Sequence, residues 1–285
     1  MVLPMRCTVA VATALLAAST APARAEPSAE ALTARAAELR TKLAGKGFTV
    51  VVEAPFVVIG DDAPSAVRHQ ATGFLRWTVG LLEKDFFKTR PDKLIEVWLF
   101  KNEKTYRAGA KAWFGDDPDT PYGYYSPEHV AMIMNMGPGA GTLSHELVHP
   151  YVEANFPAAP SWFNEGLASL FERPTEVHGH IQGLPNWRLP NLKKELKAGT
   201  LPEMKVLLQT THDGFYDAKF DAYAYARYLI EYLQDHGQLH AFYERFNGDP
   251  DTTGQVALEA TVGEPLATFE PKWRAWALAL KSDNR

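Results

Sequence analysis

Two histidines four residues apart, with a glutamate between them, are the residues of this sequence best suited to chemistry. His145 and His149 lie in the stretch GTLSHELVHPYVEANFPAAPSWFNEGLASLFE, residues 141–172. Residues four apart share one face of an α-helix, so both imidazoles could bind one metal ion, with Glu146 close to a water on it. A hydrolytic zinc site has three protein ligands and an open position for water. Glu165 is the candidate for the third ligand.

The gap between His149 and Glu165 predicts two helices joined by a short loop. The intervening NFPAAPS, residues 155–161, has the prolines and serine expected of a loop and a helix cap, so a second helix could turn back and present Glu165. Pro150 follows His149 directly, and we expect it to kink the first helix just beyond the ligands. The alternative is two ordinary amphipathic helices with core histidines and a surface glutamate.

The motif His-Glu-x-x-His followed by WFNEGLA, residues 162–168, resembles the gluzincin superfamily of zinc metallopeptidases. That superfamily includes thermolysin-like and aminopeptidase-N-like enzymes and small secreted bacterial members called peptidase-MA-like. The resemblance implies that His145, His149 and Glu165 bind one Zn²⁺ per chain. It also implies that Glu146 is the general base of peptide-bond hydrolysis.

The same resemblance extends to residues around this motif. Asn164 and Glu172 match residues that orient the metal ligands in the aminopeptidase-N-like family, although Glu172 could equally be a solvated helix charge. The run YAYARYLIEYL, residues 223–233, resembles the helix that carries the transition-state tyrosine. This alignment favours Tyr223 for that role, with Tyr225 as the competing candidate; both could instead be core aromatics. Arg188, in LPNWRLP, is a candidate for binding a substrate carboxylate at the cleft rim.

Some positions depart from the resemblance. The aminopeptidase-N-like enzymes have an acidic residue that binds the free amino terminus of the substrate, whereas the equivalent MNMGPGAG, residues 134–141, has none. Ser169 stands where thermolysin-like enzymes have an aspartate. Because no acidic residue is available to bind a free amino terminus, an endopeptidase is favoured over an aminopeptidase. The alternative function is a catalytically inactive zinc-binding module of gluzincin type that recognises an envelope protein or peptide.

The rest of the chain predicts an α+β fold in which the motif helix is central. Residues 26–47 and 63–87 have helical periodicity, whereas 48–60, 93–100 and about 129–135 are β-rich. If the strand near residues 131–135 lies at the edge of the sheet, it could pair with an extended substrate. No strand is predicted after Ser161. We therefore expect one catalytic domain, residues 26–285, with an α+β sublobe (26–160), a helical sublobe (161–285) and an active-site cleft between them.

The N-terminal 25 residues have the pattern of a secretory signal peptide cleaved after Ala25. A largely apolar run of about 12 residues follows Arg6, and this run is too short to span a bilayer. The segment ends in a small-x-small motif, residues 23–25, which is typical of a cleavage site. An uncleaved anchor is the alternative. Cleavage would remove Cys7, the single cysteine of the chain, and with it any disulfide or thiolate ligand. These features predict a periplasmic or secreted bacterial protein.

Charge and hydropathy narrow the range of partners. The chain has 29 basic and 34 acidic residues and no basic tract, which makes nucleic acid a poor candidate. No later segment is apolar enough to predict a membrane span. A peptide or protein substrate is the expected partner, and the sequence does not define the oligomeric state.

Overall fold

The computed structural model describes residues 26–281, and the predicted signal peptide lies outside this range. The described chain has an α+β architecture with a five-stranded mixed sheet, a two-stranded sheet and many helices, as the sequence predicts. Within residues 26–281, no helix combines the length and the apolar character needed to cross a membrane.

The five-stranded sheet has the order β1-β2-β3-β5-β4. Its strands are β1 (Thr49–Glu53), β2 (Phe56–Gly60), β3 (Ile95–Phe100), β4 (Gly123–Ser126) and β5 (Ala131–Asn135). The central strands β2, β3 and β5 run parallel to one another, whereas β1 and β4 are antiparallel to their neighbours. All residues of β2, β3 and β5 are buried, as expected for continuous apolar strands covered on both faces.

Residues 131–135 form a strand, as predicted, but it does not lie at the edge of the sheet, so the condition for its pairing with a substrate is not met. Strand β5 pairs with β3 on one side and with β4 on the other, so its backbone has no free edge. The edge strand is β4, whose polar and aromatic sequence GYYS gave no clear strand pattern. Any substrate that adds to this side of the sheet must therefore pair with β4.

Helices of the first half cover the sheet. They are α1 (Ala29–Lys42), α2 (Pro64–His69), α3 (Arg76–Asp85) and α4 (Glu103–Gly109). A π-helical segment, Gln70–Leu75, joins α2 to α3, so the predicted helix over residues 63–87 is continuous apart from this widened turn. The Asn102 side chain caps α4 by accepting from the Thr105 amide at 3.1 Å.

The motif occupies two consecutive helices, α5 (Gly141–Asn155) and α6 (Ser161–Leu170). Helix α5 continues past Pro150 for five more residues, so the proline does not end it. Pro160 is the N-cap residue of α6, in agreement with the predicted loop. The two helices pack against each other and bring the motif residues into proximity.

A β-hairpin interrupts the second half, so the prediction of no strands after Ser161 is wrong. The hairpin consists of β6 (Pro174–Val177) and β7 (His180–Gly183). His178 and Gly179 form its two-residue turn, both with positive φ (51° and 78°), as primed hairpin turns require. Asp85 of α3 holds the hairpin, because its Oδ2 accepts from the Ile181 amide at 2.7 Å. The strands are only four residues long and carry no apolar alternation.

The remaining helices form the rest of the second half. They are α7 (Leu189–Ala198), α8 (Met204–Leu208), α9 (His212–Tyr216), α10 (Ala222–Asp235), α11 (Leu239–Asn247), α12 (Gln255–Val262) and α13 (Leu266–Ala279). Helix α10 packs closely on α6, where a Cβ at Gly166 would lie 3.1 Å from the Ala226 backbone. The main hydrophobic core contains residues of both predicted sublobes, including Val58, Leu147 and Trp273.

Candidate metal centre

Three side chains from α5 and α6 converge at one point. The His145 and His149 rings are 4.9 Å apart between centroids, since one helical turn separates them on α5. Glu165 of α6 places its Oε2 3.2 Å from His145 Nε2 and 3.9 Å from His149 Nε2. One ligand atom from each residue lies within 4.8 Å of the others, so this group could hold a metal ion.

The hydrogen bonding of Glu165 fits such an ion. Its Oε2 is buried, and no described residue donates a hydrogen bond to it. Leaving a buried polar atom unpaired costs about 1–3 kcal/mol, and more for a charged group. An ion between the imidazoles and this oxygen would satisfy it, so the donor set of two nitrogens and one oxygen is suited to a metal.

One further side chain lies beside the Nδ1 atom of each imidazole. His149 Nδ1 is hydrogen-bonded to Asn164 Oδ1 at 3.0 Å, whereas His145 Nδ1 lies 3.4 Å from Glu172 Oε1 without forming a hydrogen bond. Such partners fix the ring orientation and favour the tautomer whose Nε2 faces the metal. The structure therefore places Asn164 and Glu172 beside the imidazoles of the two candidate ligands.

Arg188 lies behind Glu172 in a buried ion pair. Its Nη2 donates to Glu172 Oε1 at 2.6 Å and its Nε to Oε2 at 2.9 Å, while Asn186 Nδ2 donates to Oε2 at 2.7 Å. The Arg188 guanidinium also lies 5.0 Å from the centre of the Tyr223 ring. The side chain is only 13% exposed. The geometry thus directs Arg188 toward Glu172, rather than outward to a substrate at the rim.

The electrostatics of the group favour a cation. Burial alone would lower the pKa of the His145 imidazole, but the neighbouring carboxylates of Glu165 and Glu172 outweigh it and raise that pKa to about 10. Burial would raise the pKa of the Glu165 carboxyl, but the nearby His145 ring and the charges of both histidines lower it to about 2. Burial would also raise the pKa of the Glu172 carboxyl, but the nearby His145 and Arg188 lower it to about 2. Both carboxylates are therefore ionised at neutral pH and attract positive charge to this point.

His145, His149 and Glu165 lie in the wall of a cavity of about 640 Å³. Glu146 lines the same wall as the two imidazoles. The edge strand β4 contributes Tyr124 and Tyr125 to this cavity. Helices α9 and α10 contribute His212, Tyr216 and Tyr223, so both halves of the chain enclose it. The volume is within the usual range of small-ligand sites.

The two tyrosines singled out on α10 have different environments. Tyr223 lines the cavity, and no described residue forms a hydrogen bond with its hydroxyl. Tyr225 is fully buried, stacks on Trp273 at 4.8 Å, and directs its hydroxyl toward the Pro202 carbonyl at 3.4 Å. The structure thus brings Tyr223, but not Tyr225, to the site.

Sequence reasoning missed Tyr216 and His212. The Tyr216 hydroxyl donates to Glu165 Oε1 at 2.6 Å, and His212 Nδ1 is hydrogen-bonded to Ser161 Oγ at 3.1 Å. Both residues belong to the five-residue helix α9, which is too short for a periodic apolar pattern. The available signal was Thr211, whose side chain caps α9, followed by two polar aromatics four residues apart.

Comparison with known proteins adds no family assignment. No protein-family model matches the chain, and no curated protein matches it significantly.

Proposed function

We propose that the protein is a zinc-dependent metallopeptidase that hydrolyses internal peptide bonds of polypeptides in the periplasm or outside the cell. The convergence of His145, His149 and Glu165 in a cavity wall that also carries Glu146 supports this proposal most strongly. Two imidazoles and one carboxylate are a known ligand set of hydrolytic zinc. Ligand atoms about 2.0–2.2 Å from a tetrahedral ion lie roughly 3.3 Å apart, close to the 3.2 Å between His145 Nε2 and Glu165 Oε2.

The residues around the ligands have separate roles in this proposal. Zinc held by the three ligands would supply a water of lowered pKa and would polarise the scissile carbonyl. Glu146 accepts the proton of the attacking water and passes it to the leaving amine. Tyr223 donates a hydrogen bond to the carbonyl oxygen as that oxygen gains negative charge, a contribution of about 3 kcal/mol. Burial and the nearby Glu165 raise the pKa of Tyr223, so its hydroxyl stays protonated and can donate this hydrogen bond.

The edge of the sheet supports an extended polypeptide as substrate. Strand β4 pairs with β5 on one side and is the last strand of the sheet. Tyr124 and Tyr125 of this strand line the cavity. An extended substrate could therefore add to β4 by backbone hydrogen bonds, with its scissile bond near the metal ligands. The segment MNMGPGAG has no acidic side chain to bind a free amino terminus, which favours cleavage within chains.

Metal analysis and a cleavage assay test this proposal together. Zinc per chain would be measured on the exported protein, and cleavage of an unfolded protein would be followed with and without a chelator. We expect one zinc per chain and chelator-sensitive cleavage. Glu146→Gln should retain zinc and lose turnover by at least about 10²-fold, whereas Glu165→Ala should lose zinc. Glu153→Gln is the matched control, because Glu153 lines the same cavity from the same helix.

The outcomes separate the candidate functions. Absence of zinc, even after zinc is supplied, would contradict the metal site itself. Stoichiometric zinc without cleavage of any unfolded polypeptide would contradict the peptidase, and would favour a zinc-binding module that recognises an envelope protein or peptide. Full activity of Glu146→Gln would exclude Glu146 as the base.

A further inference from the structure

Helix α9 contacts α6 through two hydrogen bonds that are one helical turn apart. Ser161 Oγ is bonded to His212 Nδ1 at 3.1 Å, and Glu165 Oε1 accepts from the Tyr216 hydroxyl at 2.6 Å. Ser161 and Glu165 are four residues apart on α6, as are His212 and Tyr216 on α9, so each pair shares one helix face. The contact therefore places α9 directly on the helix that carries the third metal-ligand residue.

The two oxygens of Glu165 have different surroundings. Oε1 accepts from Tyr216, whereas Oε2 faces the imidazoles, 3.2 Å from His145 Nε2. A carboxylate can bind a metal through one oxygen or through both. Binding through both would fill an additional coordination position, and a hydrolytic site needs an open position for water.

We propose that Tyr216 is a positioning residue that holds Glu165 as a single-oxygen metal ligand and so keeps a coordination position open for water. This inference rests on the proposed zinc function. A hydrogen bond from a hydroxyl to a carboxylate is charge-assisted and about twice as strong as a neutral one. While Tyr216 donates to Oε1, rotation of the carboxylate that brought both oxygens onto the ion would stretch and weaken this hydrogen bond.

Neighbouring rings contact the ring of Tyr216, a residue that is 45% exposed. The ring contacts that of His212, with 4.9 Å between centroids, and that of Phe215, with 5.4 Å between centroids. Phe215 is buried in the core and contacts the Tyr223 ring at 5.2 Å. Loss of the Tyr216 hydroxyl should leave these ring contacts intact, so a phenylalanine at this position isolates the hydrogen bond.

A pair of tyrosine variants tests the inference. Tyr216→Phe and Tyr223→Phe each remove one hydroxyl from the same cavity. The zinc dissociation constant would be measured by competition with a chromogenic chelator, and the number of oxygen and nitrogen neighbours of bound zinc by X-ray absorption. We expect Tyr216→Phe to weaken zinc binding by about 10–100-fold and to add one oxygen neighbour. Tyr223→Phe should change neither quantity.

Failure of this inference is distinct from failure of the proposed function. If Tyr216→Phe binds zinc within twofold of the parent chain and has the same number of zinc neighbours, Tyr216 does not control Glu165 and the inference is overturned. If the parent chain binds no zinc, the proposed function is overturned with it. A parent chain that cleaves polypeptides, together with an unchanged Tyr216→Phe zinc site, overturns the inference alone.

Discussion

Replacing Arg188 with methionine tests whether this residue holds Glu172 or binds substrate. The guanidinium forms a two-pronged ion pair with Glu172, and the two side chains are only 13% and 10% exposed. Methionine fills much of the same volume without charge. The variant therefore leaves the Glu172 carboxylate buried with Asn186 and His145 as its remaining partners.

The expected cost follows from this burial. Removing one partner of a buried ion pair destabilises a protein by about 3–5 kcal/mol, because the other charge stays buried without compensation. Asn186 still donates to Glu172, and His145 lies close enough to compensate part of the charge, so we expect the lower end, about 3 kcal/mol. An exposed ion pair is worth at most about 1 kcal/mol. Arg107→Met is therefore the matched control, since Arg107 is 42% exposed in its pair with Glu103.

Urea unfolding of the chelator-treated protein measures this loss without a contribution from bound metal. Arg188→Met should lower the free energy of unfolding by about 3 kcal/mol, and Arg107→Met by about 1 kcal/mol or less. The reasoning would be refuted by an Arg188→Met protein as stable as the parent chain. If that variant also had a raised KM for substrates with a free carboxylate, Arg188 would instead act at the cleft rim.

Two further predictions concern residues beside the ligands. Asn164→Ala removes the oxygen 3.0 Å from His149 Nδ1 and should weaken zinc binding by about 10–100-fold; an unchanged dissociation constant in chelator competition would contradict this. Tyr223→Phe should lower kcat by about 10²-fold or more, whereas Tyr225→Phe should leave kcat within twofold, since Tyr225 is fully buried on Trp273. Equal losses of kcat in the two variants would mean that the hydroxyl of Tyr223 has no special role.

Local sequence signals account for most of the fold. The strands β2 and β3 are short apolar runs bounded by turn residues, and α1 and α10 have clear helical periodicity, so their positions could be predicted. The errors fall where tertiary contacts outweigh local pattern. Strand β4 and the hairpin of β6 and β7 are four-residue strands with polar side chains. Partners distant in sequence hold them, as Asp85 does for Ile181.

In the site, too, local sequence signals predict some contacts, whereas tertiary structure sets the others. His145, Glu146 and His149 are neighbours on one helix, and Glu165 follows after one loop, so spacing alone could suggest that they meet. The contacts of Tyr216 and Arg188 had no such signal, because Tyr216 reaches Glu165 across 51 residues and Arg188 reaches Glu172 across a hairpin. Chain topology decides these pairings.

A consequence is that the candidate metal ligands are contacted by side chains from two separate segments of the second half of the chain. Helix α9 approaches Glu165 from one side through Tyr216, while the segment after β7 approaches His145 through Arg188 and Glu172. Both segments belong to the second half of the chain, whereas both imidazoles belong to α5. The second half therefore contributes the third candidate ligand, the oxyanion tyrosine of the proposed mechanism and the side chains that contact the candidate ligands. A change that loosens the packing of α9 or of the hairpin should alter metal binding without touching a ligand.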